Sequence, residues 1–154
     1  MTGDSRRGVD AATRVAIRYT ITAGCACRDG VVGAKLAINL ILGINRAALA
    51  EGLVFAERMG LDPEAFLRVA RESAAYSQVM DIKGGKMVGG DFAPHGFVTQ
   101  SLKDFSLMTD QARRLGQHLP LAETYVGLMQ GCVAAGEGKL DNSVVINEIR
   151  RRVG

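Results

Sequence analysis

Residues 34 to 59 constrain this chain most. They form one long helix candidate, apolar on almost every face, and it stops at Gly60, a residue suited to the turn that ends a helix. A helix that is apolar nearly all round belongs at the centre of a core. Ala37, Gly43, Ala47, Ala48, Ala50 and Gly52 keep its profile thin, so neighbouring helices can approach closely. The chain has 154 residues, enough to close one core around such a helix. The stretch from Leu36 to Ala56 comes nearest to a membrane span. Asn39, Asn45, Arg46 and Glu51 interrupt it, so no membrane crossing is expected.

The signals after Gly60 stay helical. Asp62 suits an N-cap, Pro63 the first helical position and Glu64 the first turn of a second helix, running to about Arg71 or Tyr76. A shorter helical piece around Tyr76 to Lys83 is expected to follow. Gly84-Gly85 and Gly89-Gly90-Asp91, extended by Pro94 and Gly96, read as a mobile loop. Ser101 and Asp104 resemble a capping box for a helix ending before Gly116. Pro120 precedes a helix from about Leu121 to Ala135, and Asp141 or Asn142 caps a last helix through Val144, Val145, Ile146 and Ile149. From residue 30 to 154 the reading is therefore all-α: a bundle of five or six helices around a long central apolar one.

Residues 1 to 29 differ. Arg6, Arg7, Arg14, Arg18 and Arg28 crowd them, and Val15, Ile17, Tyr19 and Ile21 alternate with the period of a strand. One strand has nothing to pair with, so this segment reads as a leader, irregular or poorly ordered.

Composition excludes several functions. The net charge is only +3, and the Arg150-Arg151-Arg152 triplet at the end of a helix ordinarily opposes the helix dipole, so nucleic-acid binding is not expected. Cys25, Cys27 and Cys132, with His95 and His118, offer no zinc-type spacing, and no metal is expected. The cysteine count suits a reduced, cytoplasmic setting. No Gly-x-Gly-x-x-Gly follows a strand, so these residues do not bind a dinucleotide in the Rossmann manner on their own.

Two polar pairs carry possible chemistry. Lys35 stands four residues before Asn39, which puts both on one face of a helix. An ammonium and an amide side by side can grip and protonate a small, oxygen-rich substrate. A lysine at a helix start is also an ordinary solvated residue, and a lone asparagine can simply satisfy buried backbone. Lys103-Asp104 can be a surface pair at a helix start. Asp141 with Ser143 reads as a turn and N-cap, Phe97 as core packing, His95 and His118 as loop residues, and Met59, Met80, Met87 and Met108 as core filler.

Several blocks in order resemble one family. They are Gly33-x-Lys35-Leu36-x-x-Asn39, Ala50-Glu51-Gly52-Leu53, Met59-Gly60-Leu61-Asp62-Pro63, Gly90-Asp91-Phe92-Ala93-Pro94, Leu102-Lys103-Asp104-Phe105-x-Leu107, Leu119-Pro120-Leu121 and Gly136-x-Gly138-x-x-Asp141-x-Ser143. Together they resemble the C-terminal domain of the β-hydroxyacid dehydrogenases, a fold like the C-terminal domain of 6-phosphogluconate dehydrogenase. The glycines before Lys35 are placed differently, and only the second of two usual adjacent asparagines is kept, at Asn39.

The resemblance implies hydride transfer between NAD or NADP and a short β-hydroxyacid or its semialdehyde in the complete enzyme. It makes Lys35 the catalytic acid or base, Asn39 a substrate contact, and Lys103 with Asp104 the cofactor side. It also implies that the Rossmann domain is absent from this chain, which alone would hold no cofactor tightly and have no appreciable turnover. A separate Rossmann-domain partner acting in trans is a further expectation. The rival reading is a non-catalytic assembly module: the family's helical domain builds a homodimer, and the apolar face from Leu36 to Phe55 predicts self-association.

Overall fold

The computed structural model describes residues 28–152, and among them it contains helices and turns but no strand. The chain divides into two compact units, Met1–Ile41 and Leu42–Gly154. The leader assigned to residues 1 to 29 lies outside the described residues, except that Arg28 and Asp29 already belong to the first helix.

Helix α1 is Arg28–Arg58. Gly60 ends it with φ of 82°, a conformation that glycine adopts without strain. Asp62 then takes extended backbone and its carboxylate accepts from the Ala65 N–H at 2.7 Å, which caps α2, Pro63–Arg71, with Pro63 in the first turn. Next come a π-helical turn, Met80–Gly84, and α3, Gly85–Gly89. Helix α4 is Val98–Arg114 and α5 is Pro120–Ala134. A 3₁₀ turn, Asn142–Val144, leads into α6, Val145–Arg151.

Within the second unit, α4 packs along α5 and α5 against α6. Leu49, Ala50, Leu53, Val54 and Ala56 give the core its share of α1. Met129, Cys132 and Tyr125 enter from α5, and Val145 and Ile146 from α6. Each large apolar side chain buried so completely contributes about 1.5–3 kcal/mol. Thinness matters at Gly43: a Cβ there would collide with the Phe105 ring, which tilts against Tyr125 at 4.3 Å between centroids. Burial pushes the Cys132 thiol up to about 12, with Glu137 and Glu148 adding to the effect, so it packs as a small apolar residue.

Four expectations change. The glycine-rich stretch is not a loop from Gly84 onward. It forms the π turn and α3, and it buries Met87 and Lys83. Ser101 and Asp104 form no capping box, because α4 begins three residues earlier. Its first N–H groups are already met: Val98 donates to the Leu140 carbonyl and Thr99 to that of Gly138, both at 3.1 Å. Phe97 is 47% exposed and Met59 54%, so neither is core. Finally, Val32–Arg58 is long and apolar enough to cross a membrane, with mean hydropathy 1.4. Part of that helix instead lines this chain's own core, while Ile41, Phe55 and Met59 remain exposed, so the helix is buried on one side only.

The arginine triplet is fully engaged. Arg150 pairs with Glu57 of α1, Arg151 with Glu137 and Glu148, and Arg152 with Glu148. Burial works to raise the Glu148 carboxyl, but the guanidinium groups of Arg152 and Arg151 outweigh it and hold it below the usual range.

Candidate active site

Lys35 and Asn39 lie on α1, within the first unit. Lys35 is exposed and Asn39 half-buried. Their spacing of four residues on an observed helix puts them on one face, as the sequence requires. Lys103 and Asp104 belong to the second unit, in the second turn of α4. Lys103 is exposed, and no ion pair between it and Asp104 occurs among the described residues. Asp104 is half-buried and accepts from the Gln100 side chain at 2.7 Å.

The N-terminal half of α4 is held by a segment near the chain's other end. The Asp141 N–H donates to the Phe92 carbonyl at 3.0 Å, and the Asn142 N–H to that of Gly96 at 2.8 Å. The Asn142 side-chain amide donates to Ser101 Oγ at 2.9 Å. Deeper in, Arg46 of α1 donates to the buried Tyr125 hydroxyl at 2.6 Å. Burial raises the Tyr125 phenol above its ordinary range, and Arg46 opposes the rise.

Sequence reasoning missed the most concentrated polar cluster. The Asp141 carboxylate is fully buried and accepts from Lys83 Nζ, at 2.8 and 2.7 Å, the backbone N–H groups of His95 and Gly96, and both the N–H and hydroxyl of Ser143. Burial works to raise its pKa, but the bonds from Lys83, Ser143 and His95 win and keep it well below the usual carboxylate range. Burial lowers Lys83, partly against Asp141 and with repulsion from Arg46 and Lys86. The two shifts pull the pair in opposite senses. The carboxylate side dominates, because Asp141 is met by several donors and Lys83 by one acidic residue. The turn and cap read from Asp141 and Ser143 are present. Nothing near Lys83 in the sequence advertises a partner 58 residues away. Among the described residues no group of His, Cys, Asp and Glu could hold a metal.

The all-helical fold places the chain in a class, the helical domains of hydroxyacid dehydrogenases. Residues 32–149 match the family described as NAD-binding of NADP-dependent 3-hydroxyisobutyrate dehydrogenase, and the chain belongs to that family. It is 34% identical over 112 residues to L-threonate dehydrogenase of Escherichia coli strain K12, covering 73% of this chain and 37% of that protein. It is 32% identical over 121 residues to 2-(hydroxymethyl)glutarate dehydrogenase of Eubacterium barkeri, covering 78% of this chain and 40% of the relative. Among solved structures, 3-hydroxyisobutyrate dehydrogenase of Salmonella typhimurium superposes with a TM-score of 0.72 at 32% identity, over 75% of this chain and 40% of the other. The Mycobacterium tuberculosis 3-hydroxyisobutyrate dehydrogenase, solved with L-serine, gives 0.69 at 25% identity, over 77% of this chain and 43% of the other. The chain thus spans about two fifths of the length of these relatives.

Proposed function

We propose that this chain is the C-terminal substrate and dimerisation domain of an NAD(P)-dependent dehydrogenase. Its substrate would be a short β-hydroxyacid or the matching semialdehyde. The observation that carries the reading is the family match across residues 32–149, which includes Lys35 and Asn39 on one face of an observed helix. The relatives' names support that substrate class, because L-threonate and 2-(hydroxymethyl)glutarate are both hydroxyacids.

Each residue has a task within its own reach. The exposed Lys35 ammonium donates a proton to the carbonyl oxygen of a semialdehyde, and in the reverse direction the free amine takes the hydroxyl proton. The Asn39 amide, one turn on, hydrogen-bonds the substrate and keeps that oxygen near Lys35. Lys103 and Asp104 offer one donor and one acceptor, a set that suits the hydroxyls and carboxamide of a nicotinamide nucleoside. Bound NAD(P) supplies or accepts the hydride. No Gly-x-Gly-x-x-Gly occurs in these 154 residues, so the dinucleotide site comes from a Rossmann domain, joined to this one or acting in trans.

These residues alone are therefore expected to show no appreciable turnover and no tight cofactor binding. NAD(P)H titration at millimolar cofactor, with a semialdehyde reduction assay, tests this. Reduction at ordinary enzyme rates by the purified chain would sink the claim that it is incomplete. In an enzyme completed with a Rossmann domain, Lys35→Ala is expected to lower kcat about 10²–10⁴-fold. Near-normal kcat in that variant removes Lys35 from the acid–base role.

The second reading is a non-catalytic helical module that forms a homodimer. It draws on the bare apolar side of α1, where Phe55 is 65% exposed. A sharp monomer at micromolar concentration in sedimentation would count against it. Both readings place the protein in the cytoplasm, with α1 as a core and interface helix rather than a membrane span, and with no nucleic-acid partner.

A further inference from the structure

Asp141 is hydrogen-bonded to neither member of the Lys103–Asp104 pair, and yet is bonded to what sets that pair in place. Its carboxylate takes the N–H groups of His95 and Gly96, at 2.9 and 3.3 Å. Those two residues form the turn that delivers the chain into α4. On either side of Asp141, backbone carbonyls of Gly138 and Leu140 cap the first N–H groups of α4, and Asn142 holds Gly96 and Ser101. Lys103 lies five positions after Val98, the first residue of α4. At 1.5 Å per residue that is about 7.5 Å of rigid helix. Whatever moves the start of α4 moves the pair with it.

The opposite side of the carboxylate is anchored by an unusual element. Lys83 reaches Asp141 from the π-helical turn Met80–Gly84. π turns are rare and cluster at functional sites, because they redirect one side chain out of the regular helical register. The turn directs the Lys83 ammonium at a carboxylate that otherwise has only neutral donors.

We propose that Asp141 is a positioning residue for Lys103 and Asp104: it clamps the His95–Gly96 turn between Lys83 and Ser143, and so fixes where α4 presents that pair to the cofactor. The inference rests on the cofactor-side reading of Lys103 and Asp104. It adds a residue to which the family match gives no role.

The test compares backbone amide resonances in the purified, uniformly ¹⁵N-labelled chain without cofactor. Asp141→Asn keeps the shape but removes the charge that gathers the donors. It is expected to displace the resonances of Lys103 and Asp104, and to speed amide exchange over residues 98 to 104 about tenfold or more relative to the chain's slowest amides. Leu53→Ala, a core cavity in α1 that removes stability and none of the clamp's hydrogen bonds, is expected to leave Lys103 and Asp104 at their wild-type resonances. Ser143→Ala removes the hydroxyl at 2.6 Å and little else, and serves if the Asn variant does not fold. It is expected to shift the same residues by a smaller amount.

Unchanged Lys103 and Asp104 resonances in folded clamp variants would overturn the proposal, and so would an equal displacement in Leu53→Ala. No cofactor enters this measurement. A failed NAD(P)H titration in a completed enzyme would therefore strike the reading of the pair, and unmoved resonances would strike the clamp.

Discussion

Lys35 and Lys83 are both lysines on helical turns, and they have opposite environments. Lys35 is exposed on α1. Lys83 is buried against Asp141, whose own oxygens are saturated from within the chain. A catalytic group must leave bonding capacity for a substrate, whereas a structural group uses its capacity up. The proposed acid–base role falls on Lys35, and the geometry makes Lys83 a fixed point. Burial by itself does not mark a lysine as catalytic.

The comparison can be broken most directly at Asp141. Asp141→Leu leaves the Lys83 ammonium buried without its counter-charge, and is expected to cost about 3–5 kcal/mol in urea unfolding. A loss below about 1 kcal/mol would mean that the cluster is not holding the fold. Acid probes the same carboxylate without mutation. Its folded pKa lies below the unfolded one, so its contribution is fully present above about pH 4, the range of a free carboxyl, and is lost as pH falls toward the folded value. Glu148 is shifted in the same direction. Stability measured against pH is therefore expected to be level near neutrality and to fall steeply below about pH 4. In Asp141→Asn that fall should be shallower, and an unchanged slope would remove Asp141 as its source.

Gly43→Ala sharpens the packing side. Its new methyl meets the Phe105 ring, and an overpacked core costs about 1–3 kcal/mol, readable as a drop in Tm. No drop would show that the ring has room to yield. The smallest effect belongs to Lys35→Ala, where an exposed side chain is lost. Stability should stay within about 0.5 kcal/mol of the parent. A larger loss would make Lys35 structural after all and erase the contrast with Lys83.

The elements that the sequence announces are those whose causes are local. Gly60 ends α1 and Asp62 with Pro63 starts α2 because the cap, the fixed proline φ and the left-handed turn all act within a few residues. Apolar patterning with its caps and stops makes the all-α bundle legible, the four-residue spacing gives the Lys35–Asn39 face, and only the family blocks suggest a task for it. The segment from Gly84 to Gly90 reads as a loop because its four glycines disfavour a helix locally. What overrides them is burial of Met87 and Lys83 against residues much later in the chain. The start of α4 was misplaced for the same reason: its caps are carbonyls of Gly138 and Leu140, and no local signal points to them. The self-association read from Leu36 to Phe55 already requires a bare apolar face on α1, but a run that is apolar all round does not say which side its own chain will cover.

The pairing of residues 92 to 101 with residues 138 to 143 has a consequence for how the protein is made. Asp141 follows His95 by 46 residues, which at 5–20 residues per second is on the order of seconds of translation. Through that interval the turn before α4 has emerged from the ribosome without the carboxylate that gathers it. The pair that the turn sets in place is thus synthesised well before the residues that lock it.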